Sequence, residues 1–139
     1  LLEWHSEYAK GNVEPFDWSM ESQYWEGCEF DDGGNLTEFE CYDRFITKLP
    51  DLSTCLSLEY LNCAKNELKE LPDLSQCTKL KFLDCSDNIL TELPDLSKCL
   101  SLRELNCYEN ELTELPDLPE NTIVAAKHNP FCKPCERGR

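Results

Sequence analysis

The chain has 139 residues, 28 of them acidic and 13 basic, for a formal charge of −15. A surface with that balance repels a phosphate backbone, which excludes nucleic acid as a partner. No apolar run approaches the roughly 18 residues that a direct membrane span would need, while a hydrophobic fraction of 40% is enough to build one folded domain.

In chain order, residues 1–34 come first and hold all three tryptophans, Trp4, Trp18 and Trp25. Leu1, Trp4 and Tyr8 recur at helical spacing and predict a short capping helix. The start at Leu1 leaves two origins open, a removed leader or a piece of a longer product. Asp31-Asp32-Gly33-Gly34-Asn35 reads as a turn, because the ligand alternation and closing glutamate of a calcium loop are missing. Asn35-Leu36-Thr37 is a glycosylation sequon, a pattern common by chance.

A period then takes over. Leu49-Pro50-Asp51-Leu52-Ser53 returns 22 residues later at Leu71 to Ser75, again at Leu93 to Ser97, and in part at Leu115 to Leu118. The other half of each unit recurs in step: Leu58, Leu61, Cys63, Asn66 and Leu68, then Leu80, Leu83, Cys85, Asn88 and Leu90, then Leu102, Leu105, Cys107, Asn110 and Leu112. A degenerate copy at Leu36, Phe39, Cys41, Arg44 and Ile46 lacks the asparagine. Strand alternation over Tyr60 to Ala64 sends Leu61 and Cys63 to a core and Tyr60, Asn62 and Ala64 outward. One such unit cannot bury its own apolar face, so the next must pair with it in parallel. Pro50 and its equivalents lack a donor and predict extended or single-turn 3₁₀ backbone on the far side.

Written L-x-x-L-x-C-x-x-N-x-L, the unit closely resembles the leucine-rich-repeat family over residues 35–131, with cysteine at the strand slot as in its internalin-J-like subgroup. The resemblance implies an α/β solenoid: an arc with a short parallel sheet on its concave face, an extended or 3₁₀ convex side and a helical N-terminal cap. It also implies a ladder of asparagines, Asn66, Asn88 and Asn110, bonded to backbone groups at the turns. The division that follows is a cap over 1–34, repeats over 35–48, 49–70, 71–92, 93–114 and 115–131, and a tail over 132–139. Leu1-Leu2-Glu3-Trp4, Trp25-Glu26-Gly27 and Asp32 to Thr37 resemble the cap of plant-type extracellular members. Those caps place a cysteine three residues after the glycine, where this chain has Phe30, with Cys28 beside it. Leu115 to Phe131 resembles the terminal repeats of bacterial types, with Val124, Ala126 and Phe131 in the apolar slots and Asn129 in the asparagine position.

Cys41, Cys63, Cys85 and Cys107 lie one period apart, and Cys55, Cys77 and Cys99 form a second series. Stacked strands about 4.8 Å apart hold like-pointing cysteines badly for a disulfide, so both series read as buried thiols acting as small hydrophobes. A metal or redox role for the ladders carries little weight, since a line of sulfurs diverges where a soft metal wants convergent ligands. Cys132-Lys133-Pro134-Cys135 has the spacing of a redox pair or half a zinc site without the structural context of either; a terminal bridge or plain thiols also fit. His5 and His128 fall in no motif with a nucleophile. No catalytic residue, metal ligand or cofactor is assigned.

The outward positions form columns: Glu38, Tyr60, Phe82 and Glu104; Glu40, Asn62, Asp84 and Asn106; Tyr42, Ala64, Ser86 and Tyr108; Asp43, Lys65, Asp87 and Glu109. Acids there need mean no more than solubility, and Tyr60 beside Phe82 could be cross-strand packing alone. Exposed aromatics in a polar rim are also what protein interfaces favour. The reading taken is a non-catalytic recognition module whose partner is a protein or peptide with a basic surface. It binds through Glu38, Glu40, Tyr42, Tyr60, Asn62, Phe82, Asp84, Glu104, Asn106 and Tyr108. The alternative is an accessory subunit of a larger complex, docking through its caps or convex side. An extracellular or cell-surface location suits the resemblances, whereas ten cysteines without a pairing scheme suit a reducing cytosol.

Overall fold

A computed structural model describes residues 27–132, which coil into a β-solenoid. One six-stranded sheet runs in chain order from β1 (Cys28–Phe30) and β2 (Leu36–Glu40) through β3 (Tyr60–Asn62), β4 (Phe82–Asp84) and β5 (Glu104–Asn106) to β6 (Ile123–Ala125). β2 to β6 pair in parallel, each strand with the next, so the chain makes one circuit per repeat. The leucines that recur with the period from Leu36 to Leu112 and both cysteine series are buried, forming one continuous core. Cys28 and the seven ladder cysteines are thiols. The second series sits at the corner entering each strand, where Cys77 and Cys99 donate Sγ–H to the carbonyls of Leu52 and Leu74 one coil back.

Each circuit is closed by an asparagine. Asn88 accepts the Leu68 N–H through Oδ1 at 2.9 Å and donates Nδ2 to the carbonyls of Cys63, Cys85 and Ser86 at 3.1 Å each. Asn66 and Asn110 do the same one coil apart, Asn66 taking two donors, Arg44 N and Ile46 N, and Asn129 accepts Leu112 N and donates to the carbonyls of Cys107 and Ala126. Arg44 stands where the other coils have asparagine, and its buried Nε finds no hydrogen-bond partner among the described residues. Just before this position in each coil the backbone turns left-handed, at Asp43, Lys65, Asp87, Glu109 and His128, with φ between 54° and 63°. For residues with a Cβ that conformation costs about 1–2 kcal/mol. It is held because the N–H of Asp43, Lys65, Asp87 and Glu109 each bonds a carbonyl of the following coil.

This bend corrects the expected outward face. The strand stops at Asn62 instead of Ala64, alternation lapses, and Ala64 and Ser86 turn inward to 3% and 1% exposure. The α/β expectation also changes. Among the described residues there is no α-helix, only a 3₁₀ turn at Pro130–Cys132. Between strands, Asp51, Asp73 and Asp95 accept the N–H of Ser53, Ser75 and Ser97. Two i→i+3 turns then follow, Cys55 N to Leu52 O and Leu58 N to Cys55 O in the first copy. A 22-residue circuit containing a proline leaves no room for a helix on that side. The expected capping helix, on residues near Leu1 to Tyr8, lies outside the described residues, as does Cys135.

The first edge is covered by an element the repeat pattern did not announce. β1 runs antiparallel to β2, and the Asp31–Asn35 turn joins them: Asp31 Oδ1 accepts from Gly33 N and Asn35 N, and Gly34 takes φ 83°. Those hydrogen bonds, from Asn35 first, hold the Asp31 carboxyl below its usual range. A Cβ at Gly27 would fall on the Glu40 carbonyl, so glycine is required where the hairpin closes.

Asn88→Ala strands one buried donor and leaves three carbonyls short of a partner, and we expect a loss of about 3 kcal/mol in urea unfolding. The same assay should register almost nothing for Leu56→Ser on the exposed corner. A second expectation concerns pH. Burial, with neighbouring thiols or acids adding to it, pushes Cys41, Cys77 and Cys107 up to about 12 and Cys55 and Cys99 to about 11; Cys63 and Cys85 also rise well above the ordinary 9.0. Above pH 9 the unfolded chain releases these protons while the folded one keeps them. The thiol contribution is therefore whole below pH 9 and lost towards pH 11–12, by ~1.4 kcal/mol per thiol per pH unit. Unfolding under reductant should show this fall, and a Cys63→Ala/Cys85→Ala variant should show a shallower slope.

Candidate recognition face

The exact parallel register converts sequence columns into rows of side chains across the strands. Glu38, Tyr60, Phe82 and Glu104 are consecutive partners, and Glu40, Asn62, Asp84 and Asn106 form the second row. Tyr60 and Phe82 stack with ring centroids 4.7 Å apart and planes 10° from parallel. The centroid distance matches the strand spacing, so the stack runs along the row. In the second row, Asn62 Nδ2 donates to Glu40 Oε2 at 3.2 Å, while Asp84 Oδ1 accepts from Ser86 Oγ at 2.6 Å. Asn106 reaches Glu104 at 3.5 Å.

Burial raises the Tyr60 phenol above its ordinary value, with Asn62 pulling it down and the charges of Glu40, Asp84 and Glu38 pushing it up. Carboxylates of both rows thus act on one hydroxyl. Tyr42 and Tyr108 are at 42% and 36% exposure, but the structure does not gather them to the stack. They flank the buried pair Ala64 and Ser86, three coils apart, and Tyr42 carries the Lys65 ammonium 5.6 Å from its ring centroid. Asp43, Lys65 and Asp87 line a shallow open depression with Phe45, Asn66 and Glu67. Among the described residues, no group of three or more His, Cys, Asp or Glu is placed to hold a metal ion, and no helix is long and apolar enough to cross a membrane.

Two members of the first row were missed from the sequence, Glu29, which pairs with Glu38 from β1, and Ile123. Ile123 pairs with Glu104 and is 72% exposed, extending the row by one strand. Nineteen residues separate these two, against 22 in the earlier coils, so projection by the period passes over it. The signal was present all the same, because Val124 and Ala126 as apolar slots force Ile123 and Ala125 outward.

The family profile for leucine-rich repeats, in a two-copy form, matches residues 78–120. The solved structure of YopM, a leucine-rich effector protein from Yersinia pestis, superposes with a TM-score of 0.63 at 35% identity over 73% of this chain. This chain belongs to the leucine-rich-repeat family. A Shigella effector leucine-rich-repeat domain aligns over 93% of the chain with a TM-score of 0.68 and 25% identity. The functional domain of InlJ from Listeria monocytogenes, which includes a cysteine ladder, aligns over 76% with a TM-score of 0.58 and 37% identity. The chain spans 28%, 57% and 23% of these three solved chains. No curated protein sequence matches it. Leucine-rich-repeat domains of this kind are generally protein-interaction modules, and the cysteine ladder of this one runs through Cys41, Cys63, Cys85 and Cys107.

Phe82→Ala removes the surface that shields Tyr60. In a titration followed by ¹³Cζ-tyrosine NMR, the Tyr60 pKa should move down towards its ordinary value. Glu40→Gln should move it the same way by a smaller step, because burial outweighs the charges.

Proposed function

We propose that the outer sheet face, concave in this family, binds a basic segment of another protein, and that the domain acts by recognition without catalysis. The observation that carries this is the Tyr60–Phe82 stack, set in register between Glu38 and Glu104. Aromatic anchors ringed by polar groups are the usual energetic centres of protein interfaces. The surrounding carboxylates select against acidic surfaces and speed encounter with basic ones, an effect that weakens with salt. Glu40, Asn62, Asp84 and Asn106 supply the polar rim, Tyr42 and Tyr108 lie beyond it, and Ile123 adds an apolar end to the first row. Five coils present limited area, which suits a peptide or a loop. The similarity to effector and internalin domains supports a binding role and says nothing of the partner.

A second reading, docking within a larger assembly, is favoured by the last coil, where Leu115, Leu118, Val124 and Phe131 are only partly buried. Peptide display against the full chain separates the two. Ligands enriched on the wild type should be rich in basic residues. They should lose at least about tenfold in affinity on Tyr60→Ala/Phe82→Ala and keep it on Leu56→Ser/Leu100→Ser, with urea midpoints showing that both variants fold. Ligands indifferent to the aromatic pair would overturn the sheet-face reading.

A further inference from the structure

The stack has two outer faces, and each meets a carboxylate. Because the rings are nearly parallel and their separation follows the row, the free face of Tyr60 looks towards Glu38 and that of Phe82 towards Glu104. Both glutamates are exposed, and among the described residues neither takes part in an ion pair, whereas Lys81 pairs with Glu59 at 3.0 Å. Each end of the stack is thus a flat π surface beside a carboxylate that no cation among the described residues neutralises. A planar cation that stacks on the ring and presents N–H groups along its edge satisfies both at once. Guanidinium has that shape: it is delocalised, weakly hydrated and matches a carboxylate in bidentate fashion. An ammonium is a compact, strongly hydrated charge and gains less from the ring. A neutral aromatic ligand leaves the carboxylates unanswered, and an anion is repelled.

We propose that the Tyr60–Phe82 stack, with Glu38 and Glu104 at its ends, is an arginine-reading site for an extended segment of another protein. The inference rests on the sheet-face reading above and narrows it to one side-chain chemistry. Two guanidinium groups, one on each outer face, stand about 12 Å apart, close to the reach of side chains four residues apart in extended backbone. The segment then runs across the strands, along the row. Glu40 and Asp84, one row away, add negative charge on the same side.

The test uses the full chain and three blocked peptides that differ only at two positions four apart in a glycine background: arginine, lysine or citrulline. Titration is followed by NMR of the Tyr60 and Phe82 rings and of the peptide δ protons. The arginine peptide should bind about tenfold tighter than the lysine peptide, with its δ protons shifted upfield by the rings, and the citrulline peptide should not bind measurably. Phe82→Ala should bring the arginine-to-lysine ratio near one. Glu104→Gln should weaken the arginine peptide several-fold with the stack intact. Equal binding of arginine and lysine, no binding of the arginine peptide at millimolar concentration, or arginine binding that survives Tyr60→Ala/Phe82→Ala each overturns the inference. The two readings fail separately. If displayed ligands still depend on Tyr60 and Phe82 while arginine earns no preference, the recognition face stands without the arginine site. If those ligands ignore the pair, both fall.

Discussion

The side-chain amides of Asn66, Asn88, Asn110 and Asn129 set the pitch of the molecule. Each one spans two coils, accepting a backbone N–H from the coil before it and donating to carbonyls of both. The bend it satisfies is one a residue with a Cβ enters reluctantly. Without the amide, the N–H and carbonyl groups of that bend would sit buried and unpaired. The left-handed residue, the end of the strand and the inward turn of Ala64 and Ser86 are therefore consequences of one device. Repeated at a fixed interval, it forces equivalent atoms of neighbouring coils into line.

That alignment converts a repeat into a surface. Strands held in register place side chains of the same phase one strand spacing apart, near enough for two aromatic rings to stack and for an amide to reach a neighbouring carboxylate. The core obeys the same geometry. Sulfurs and leucines line up inside, where a thiol fills space, donates weakly to the carbonyl of the previous coil and stays protonated because burial disfavours the thiolate. The inner face is uniform along the solenoid, whereas the outer face changes from coil to coil. Specificity can be written there without disturbing the fold.

How much of this was legible in the sequence follows from the same distinction. Positions bound to the period were readable: the core leucines, both cysteine series, the asparagine ladder and the partners across each row. Positions where the period breaks were not. Nothing in the spacing of Cys28 to Phe30 shows that it folds back antiparallel on β2, since a hairpin edge follows from the turn at Asp31–Asn35 and from the narrow space at Gly27. Ala64 and Ser86 were read outward by alternation, which holds only while the backbone stays extended. Ile123 escaped because its coil is shorter. The stack itself was foreseeable as adjacency, but that its rings are parallel and so leave two outer faces is a property of the folded chain alone.

An acidic surface on a small domain has to answer its own repulsion, and from β2 to β5 the order of residues in the two rows does so. In the second row an amide separates each acid from the next, so Glu40 and Asp84 stand two strand spacings apart with Asn62 bonded to Glu40 between them. At that distance like charges repel by only ~0.4 kcal/mol in water, against ~0.9 for neighbours one spacing apart. In the first row the two aromatics hold Glu38 and Glu104 three spacings apart, beyond the screening length of physiological salt. The same spacing gives each of these two carboxylates an aromatic surface on one side, while on the other side Glu38 stands beside Glu29 of β1 and Glu104 beside Ile123. The rings thus separate the charges in the isolated domain, and together with those charges they offer a cation two faces on which to settle.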